Sequence, residues 1–504
     1  MAFVFDGVDA LYKVPRFLAK IIFAAGNVGA GSLPLYTLYV GMKDTSLGTI
    51  VPDVDVVEVF SDEDINTLAG PRAQLANMAR AGLAAKPTGR HFIAAVLEPA
   101  GGTYAQATLL LAGAWTTPGE IAITIAGTRI SLGVTATDTI DDVGTALAAR
   151  MTASIGLPVS TTYSAGTDTL TLVCANKGAS GRDWIIGVDK TKMPSGMTAT
   201  LTGSAALSGD RARLGVAGSG TGTEDVTNIL TKLQTKRFAR IAVAQSDATN
   251  LALWETHVNN KADATRLLLE QFVVGANGTQ AAATSLAQTT LNAPRAQLLW
   301  QRNANTHPAV FASVMAAVRA GTEGITWVPD YDGFVLAGIP PQDEADIHLD
   351  TENNVALQNG VTPLATGNNE SSVVRAITTY CLNGATQDDR CLDVGDAVTA
   401  DNATLDLKLL YETTFRPVNP LVGPDPLEGQ KVPPEGVAYP RLWNTVAMKR
   451  AREWFASGWV EDPDTTPIIS QFNATSRRIE SLVPLVVRRI QHQLAVITRQ
   501  QSPG

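Results

Sequence analysis

The chain has 504 residues, 45% of them hydrophobic and 17% charged, with a net charge of −9. This balance excludes an intrinsically disordered chain, and at about 150 residues per domain the length points to roughly three domains. There is no basic excess to neutralise phosphates and no apolar run near the ~20 residues of a membrane span, so neither nucleic-acid binding nor membrane insertion is expected.

Residues 1–34 carry few periodic signals and end in the run Ala24-Ala25-Gly26-Asn27-Val28-Gly29-Ala30-Gly31. Such a segment cannot build its own core and reads as an extended arm that needs a partner, or as a frayed end. Asp6, Asp9, Lys13 and Arg16 interrupt any signal-peptide core, so synthesis and retention in a cytoplasm are expected. From Leu35 the pattern is α/β, with strands over 36–40, 54–60 and 91–97. Ser61-Asp62-Glu63-Asp64 caps a helix predicted to run over 65–85.

Residues 100–220 lose helical periodicity. Strands are predicted over 108–111, 120–126, 128–133, 159–163, 168–174, 184–188 and 197–201, with one helix over 138–153. Short strands at this spacing predict an inserted β-sandwich-like domain. The Gly/Ser/Thr-rich run 204–222 reads as a linker.

Alternation then resumes. Helices are predicted over 224–236, 247–262, 278–291 and 308–320, and strands over 239–244, 266–275, 295–300 and 325–328. Strand–helix alternation implies βαβ units in a mostly parallel sheet. The expected organisation is therefore multidomain α/β: an arm over 1–34, a discontinuous α/β domain over 35–99 and 221–340 interrupted by the β-rich insertion, an α+β domain over 341–490 and a terminal arm over 491–504. Within the third domain, helices are predicted over 399–411 and 441–458, separated by a Pro/Gly loop over 417–440.

Catalytic signatures are missing from the sequence. There is no G-x-S-x-G elbow, no Gly-Thr-Ser, no His-Gly and no P-loop. Neither Gly26-x-x-Gly29-x-Gly31 nor the glycines of 215–222 sit between a strand and a helix as a dinucleotide site requires. Cys174, Cys381 and Cys391 form no C-x-x-C pair and read as buried hydrophobes. His91 and His257 lie in apolar patterns, and His307 precedes Pro308 at a helix start, so packing and capping roles suffice. Asp343, Glu344, Asp346, His348 and Asp350 could offer oxygen ligands to a hard cation, yet a solvated loop is the simpler reading. No cofactor is expected.

Two features exceed packing. The helix over 441–458 sets Trp443, Ala447, Ala451 and Trp454 on one side and Arg441, Lys449, Arg450 and Arg452 elsewhere. Residues 471–504 hold five arginines and one glutamate, a local +4 that suggests an acidic partner. The end of the chain, Leu494-Ala495-Val496-Ile497-Thr498, is strand-like, and with the N-terminal arm it is suited to strand addition on neighbouring subunits. Open-ended contacts of that kind generate helical polymers.

The run Ser372-Val373-Val374-Arg375-Ala376-Ile377-Thr378-Thr379-Tyr380 resembles the signature stretch of contractile phage tail sheath proteins. The late Gly-rich loop, the helix around Trp443 to Trp459 and the opening at Arg477 are similar to the end of that family. The resemblance implies an α/β domain related in fold to subtilisin but not enzymatic, a peripheral insertion and a C-terminal assembly domain. It implies hexameric rings stacked as a helical polymer around a tail tube, with baseplate and tail terminator proteins as further partners, in a virion tail assembled in the host cytoplasm. Contraction would drive the tube through the host envelope and serve genome ejection. It makes Arg441, Lys449, Arg450 and Arg452 tube-contact candidates, and Phe3, Val4, Phe5, Leu494, Val496 and Ile497 inter-subunit arm candidates. Arg375, Thr378, Thr379 and Tyr380 are its family-motif residues. A bacteriocin or other injection-system sheath shares this physics. The rival of a different class is an α/β hydrolase.

Overall fold

The computed structural model describes residues 35–488 except 87, 324–325, 368, 420, 428, 430, 432–435 and 485. The described chain is a mixed α/β protein that divides into two compact units. The larger comprises Leu33–Ile325 and Gly333–Val394; the smaller takes in Thr326–Asp332 and residues from Gly395 on. The expected boundary at 340/341 thus gives way to one at 394/395.

The larger unit opens with β1 (Tyr36–Met42), β2 (Val56–Val59), α1 (Asp62–Ala69), α2 (Gln74–Ala85) and β3 (Arg90–Val96). The single helix expected over 65–85 is broken. Gly70 adopts φ 85, ψ 136, outside the helical region, and Pro71 follows it. A Cβ at Gly70 would also lie 2.5 Å from the Asp44 Cβ. Ser61 and Asp64 form the capping box that starts α1.

After the insertion come α4 (Thr227–Lys232), β13 (Arg240–Val243), α5 (Ala248–Lys261), β14 (Gln271–Ala276), α6 (Gln280–Ser285, continued as a π-turn), β15 (Ala296–Trp300) and α7 (Pro308–Thr322). Then follow β16 (Val335–Leu336), α8 (Asp350–Gln358), β17 (Thr362–Thr366) and β18 (Ser371–Val373). The nine-stranded sheet has the order β16-β18-β17-β15-β14-β13-β1-β3-β2. Its interior pairs are parallel, and the antiparallel partners sit at its margins, β2 on one side and β18 and β16 on the other. Strand β17 and its neighbours therefore belong to the α/β unit, because their ladder hydrogen bonds extend its sheet.

One sheet face buries Leu38, Val40, Ile241, Phe272 and Leu298 against Leu251, Trp254 and Val258 of α5. Helices α2 and α7 pack with the same sheet and with each other. Close approach demands glycine at two points: a Cβ at Gly82 would meet the Tyr39 hydroxyl at 2.1 Å, and one at Gly275 the Pro308 carbonyl oxygen at 2.2 Å. Tyr39 donates to His91 Nδ1 at 2.7 Å, and burial raises its phenol pKa.

The insertion holds β4 (Tyr104–Gly113), β5 (Gly119–Ile125), β6 (Thr128–Val134), α3 (Ile140–Ala153), β7 (Val159–Ser164), β8 (Thr169–Lys177), β9 (Ile185–Asp189), β10 (Met197–Thr202), β11 (Ala205–Leu207) and β12 (Arg211–Arg213). They form two antiparallel sheets, β10-β4-β8-β7 and β11-β12-β9-β5-β6. The expected linker over 204–222 is ordered structure. Strands β11 and β12 extend the second sheet, and Arg211 and Arg213 tie β12 to the α/β layer. Arg211 is buried and pairs with Asp346, while Arg213 donates to Asn277 Oδ1 and Asn303 Oδ1, both at 2.9 Å. Gly215, Gly218, Gly220 and Gly222 all have positive φ, and Arg182 closes that loop on the Ser219 carbonyl.

The smaller unit contains α9 (Val394–Leu410), α10 (Pro440–Ala456), β23 (Ile469–Asn473) and β24 (Arg478–Leu482). It also holds a short parallel pair, β21 (Leu421–Val422) with β22 (Val437–Ala438), whereas the short antiparallel pair β19 (Leu382–Asn383) with β20 (Thr386–Gln387) belongs to the larger unit. No strand forms over 326–328, although one was expected over 325–328. Trp327 instead enters the smaller unit's core, stacked on Trp459 with ring centroids 4.6 Å apart.

Lys261 shows how tightly this fold accounts for buried charge. Its ammonium is fully buried and donates to the Leu233 carbonyl, the Lys236 carbonyl and Glu270 Oε1 at 2.7, 2.5 and 2.7 Å. Burial raises the Glu270 carboxyl to about 7 even beside this cation. Replacing Lys261 with Met should cost about 3–5 kcal/mol, because it leaves Glu270 buried without its counter-charge. Adding Glu270→Gln should recover most of that loss. Urea unfolding of the three variants checks it, and a Lys261→Met loss below about 1 kcal/mol would refute it.

Candidate functional site

The run 372–380 begins in β18 and lies near the end of the larger unit, ahead of the segment that leads through β19 and β20 into α9. Its residues are spent on fastening. Thr379 is buried; its N–H donates to the Ala296 carbonyl at 2.9 Å, and its hydroxyl both donates to the Ala293 carbonyl and accepts the Ala293 N–H at 3.0 Å. Thr378 donates through Oγ1 to the Cys391 carbonyl at 2.7 Å. Arg375 grips Asp393 with two hydrogen bonds of 2.9 Å. The Tyr380 hydroxyl donates to Asp388 at 2.7 Å, and Arg390 beside it holds the Asp388 carboxyl well below the usual carboxylate range. Thr362 adds a buried bond between its hydroxyl and the Ile377 carbonyl at 3.0 Å. Arg375, Thr378 and Tyr380 thus fasten onto one segment, 388–393, while Thr379 fastens the run to Ala293 and Ala296 at the start of β15.

The acidic cluster is dismantled into ion pairs and caps. Asp346 takes Arg211, and the Asp343 side chain accepts the Ala345 N–H. His348 lies flat on Trp300, ring centroids 3.8 Å apart at 5°. Its Nε2 accepts the Arg302 N–H and the Gln342 side-chain N–H, each at 3.0 Å, so the ring is held neutral with its proton on Nδ1. Burial lowers its pKa to about 4. Among the described residues, no group of three or more His, Cys, Asp or Glu side chains is arranged to hold a metal ion. His307 caps α7, its Nδ1 accepting the Ala309 N–H at 3.1 Å, while Nε2 meets the Ser180 carbonyl at 3.0 Å. Cys174, Cys381 and Cys391 are buried and unbridged.

The basic helix has a graded surface. Trp443, Ala447, Ala451 and Trp454 are its buried stripe. Arg450 is committed inward: Nε and Nη2 donate to fully buried Asp406 at 2.6 and 2.7 Å, and Nη1 reaches Glu453 at 2.6 Å. Trp454 Nε1 donates to the same Asp406 at 2.9 Å. Arg452 and Arg441 are exposed and lie in looser pairs, 2.7 Å from Asp464 and 3.7 Å from Asp425. Lys449 is exposed and enters none of these pairs. Sequence reasoning missed Asp406 and Asp393, because a buried counter-ion far along the chain leaves no local signal.

Strands β23 and β24 form a two-stranded sheet in which Ile469 faces Leu482, both partly exposed. Among the described residues neither outer edge is paired. Phe3, Val4, Phe5, Leu494, Val496 and Ile497 lie outside the described residues.

No family model matches the chain, and no curated protein matches it in sequence. In fold, it is similar to the sheath tail protein of Desulfitobacterium hafniense, at 12% identity and a TM-score of 0.46, covering 95% of this chain and 100% of that one. The sheath tail protein of Listeria innocua is similar at 13% identity and 0.46, covering 92% and 95%. The helical sheath of the anti-feeding prophage in its contracted state is similar at 10% identity and 0.46, covering 98% and 100%.

Thr379→Val should cost about 1–3 kcal/mol, since it strands both Ala293 backbone groups, whereas Arg375→Ala at a part-exposed pair should cost about 1 kcal/mol or less. Thermal or urea unfolding ranks the two, and the reverse order would refute the assignment of Thr379 as the anchor. Separately, the depressed pKa of His348 makes its contribution to stability complete above the unfolded value of about 6.5 and progressively lost down to about 4. His348→Gln should flatten that part of the pH profile relative to the parent; an unchanged profile would show that His348 is not its source.

Proposed function

We propose that this chain is a structural subunit of a contractile tail sheath, polymerising as stacked hexameric rings around a tail tube and shortening to drive that tube forward. The observation that carries the reading is the run 372–380, whose sequence resembles the sheath signature and whose side chains serve as fasteners. The β23–β24 pair, whose outer edges are unpaired among the described residues, supports it, since an edge strand invites strand addition. In this reading residues 1–34 and 491–504 are arms that add strands to neighbouring subunits, and residues 100–220 are a peripheral insertion. The part from Gly395 on is the assembly unit, and α10 faces the tube. Baseplate and terminator proteins cap the polymer. A sheath is metastable when many identical interfaces have two packings whose small free-energy differences add along its length. A virion tail and a contractile injection particle both meet these terms, and assembly in the host cytoplasm fits either.

Electron microscopy of the purified chain, alone and with the tube protein of its own particle, tests this. Hollow striated tubes or short rings are expected; a chain that stays monomeric in both settings overturns the reading. Within an assembling sheath, Lys449→Glu with Arg441→Glu should reduce sheath retained on tubes in a co-sedimentation assay while leaving the subunit folded. Arg450→Glu should unfold the assembly unit, because it sets a carboxylate against buried Asp406. Equal tube retention for the Lys449/Arg441 pair and the parent would remove α10 from the tube interface.

A further inference from the structure

The chain holds three Asn-Gly pairs, Asn277-Gly278, Asn359-Gly360 and Asn383-Gly384. In such a pair the backbone nitrogen can attack the preceding side-chain amide, because glycine has no Cβ to shield it. The attack also needs an amide free to turn toward that nitrogen, and here the fold treats the three pairs differently. Asn277, directly after β14, is buried. Its Oδ1 accepts from Arg213 at 2.9 Å, and its Nδ2 donates to the Asp183 carbonyl at 3.1 Å. Asn359, directly after α8, is held at both amide atoms: Oδ1 accepts from Gln288 at 2.6 Å, and Nδ2 donates to the Val355 carbonyl at 2.5 Å. Gly360 is pressed against Thr379, whose carbonyl oxygen would lie 2.6 Å from an added Cβ.

Asn383 is placed otherwise. It ends β19 and is exposed, as are Thr386 and Gln387 of β20. Among the described residues, none hydrogen-bonds to its side chain. The register pairs Asn383 with Thr386, so Gly384 and Ala385 make a two-residue turn. Gly384 has φ 64, the positive value that such a hairpin turn needs at its first central position, and nothing lies within 4 Å of where its Cβ would stand. A turn of this kind bonds its first residue to its fourth and leaves the N–H of the second, here Gly384, outside the ladder.

We infer that Asn383 is a site of spontaneous deamidation. The Gly384 nitrogen attacks Cγ of Asn383. The N–Cγ bond forms, the Cγ–Nδ2 bond breaks, and Nδ2 leaves as ammonia with the proton that Gly384 gives up. Water then opens the resulting succinimide. Opening at Cγ gives aspartate; opening at the backbone carbonyl gives isoaspartate, whose chain runs through Cβ and Cγ. Either product adds one negative charge. The base of the hairpin is fixed separately: Asn292 Nδ2 donates to the Leu382 carbonyl at 2.9 Å, and its Oδ1 accepts the Cys381 and Leu382 N–H groups at 3.1 and 3.0 Å. The Asp388 N–H donates to the Cys381 carbonyl at 2.9 Å. The change is thereby confined to the tip, and the folded subunit carries it. The inference is independent of the proposed assembly role.

Peptide mapping by mass spectrometry of the folded full-length chain, aged at mildly alkaline pH, tests it. The mass gain of amide-to-acid conversion should accumulate at Asn383 about tenfold or more faster than at Asn277 or Asn359, whose amides must first leave their partners. The same chain held in urea should lose this preference, and Asn383→Gln should remove the more acidic species from isoelectric focusing of the aged folded protein. No gain at Asn383, gain as fast at Asn277 or Asn359, or the same preference in urea would each overturn the inference.

Discussion

Helix α7 imposes the central constraint. Every residue from Pro308 through Ala320 is buried, so the helix exists only because other elements cover it on all sides. Burying it also buries Arg319, and a guanidinium in that setting must bring its own counter-charge. Glu323, one turn on, supplies it at 2.7 Å and also takes Arg240 from β13. Arg319 goes on to Gln297 of β15 at 3.1 Å and to Gln271 of β14. Two buried cations sharing Glu323 therefore tie a helix to three neighbouring parallel strands. A register slip in any of them would leave a charge or amide unpaired in the interior, which costs more than a lost surface contact.

The same device attaches the insertion. Strand β12 is three residues long and could not hold a module in place by backbone pairing alone. Arg211 and Arg213, two residues apart, project on the same side of the strand. Both find fixed acceptors in the α/β layer, Arg211 at Asp346 and Arg213 at the paired asparagines Asn277 and Asn303. The first sheet is anchored as well: Asn176 of β8 accepts the Gln74 N–H at 2.8 Å and donates to the Lys43 carbonyl at 2.6 Å.

Much of this architecture was legible in sequence because periodicity survives where one face is buried. The insertion strands alternate cleanly, and β1, β3, β13, β14 and β15 read as short runs of apolar residues between turn signals. What was illegible depended on context. Gly70-Pro71 sits inside an apolar pattern of helical spacing that masks the break made by the non-helical Gly70 and the proline after it, and the close approach to Asp44 keeps that position a glycine. The run 204–222 looks like a linker by composition, since a three-residue strand is too short to show a period, and its glycines serve positive-φ turns. Ile-Thr-Trp-Val at 325–328 has strand composition, yet Trp327 is used to fill a different core. The run 372–380 stands out in sequence as a group, while its partners Asp388, Cys391 and Asp393 lie beyond any local signal.

The cations of α10 show why residue type alone misjudges a charged face. All four look alike in sequence, and their energetics differ by what each already holds. Arg450 is bound bidentately to a carboxylate with no solvent access, so exchanging that partner for another would expose an unpaired buried charge. Arg452 and Arg441 stand in exposed pairs, where an ion pair is worth little and a new acidic partner can replace Asp464 or Asp425 at small cost. Lys449 has no such pair to give up. A face graded in this way can meet and release an acidic surface through its exposed cations while the inward one keeps the helix packed. Screening by salt would act on the exchangeable contacts and spare the buried one.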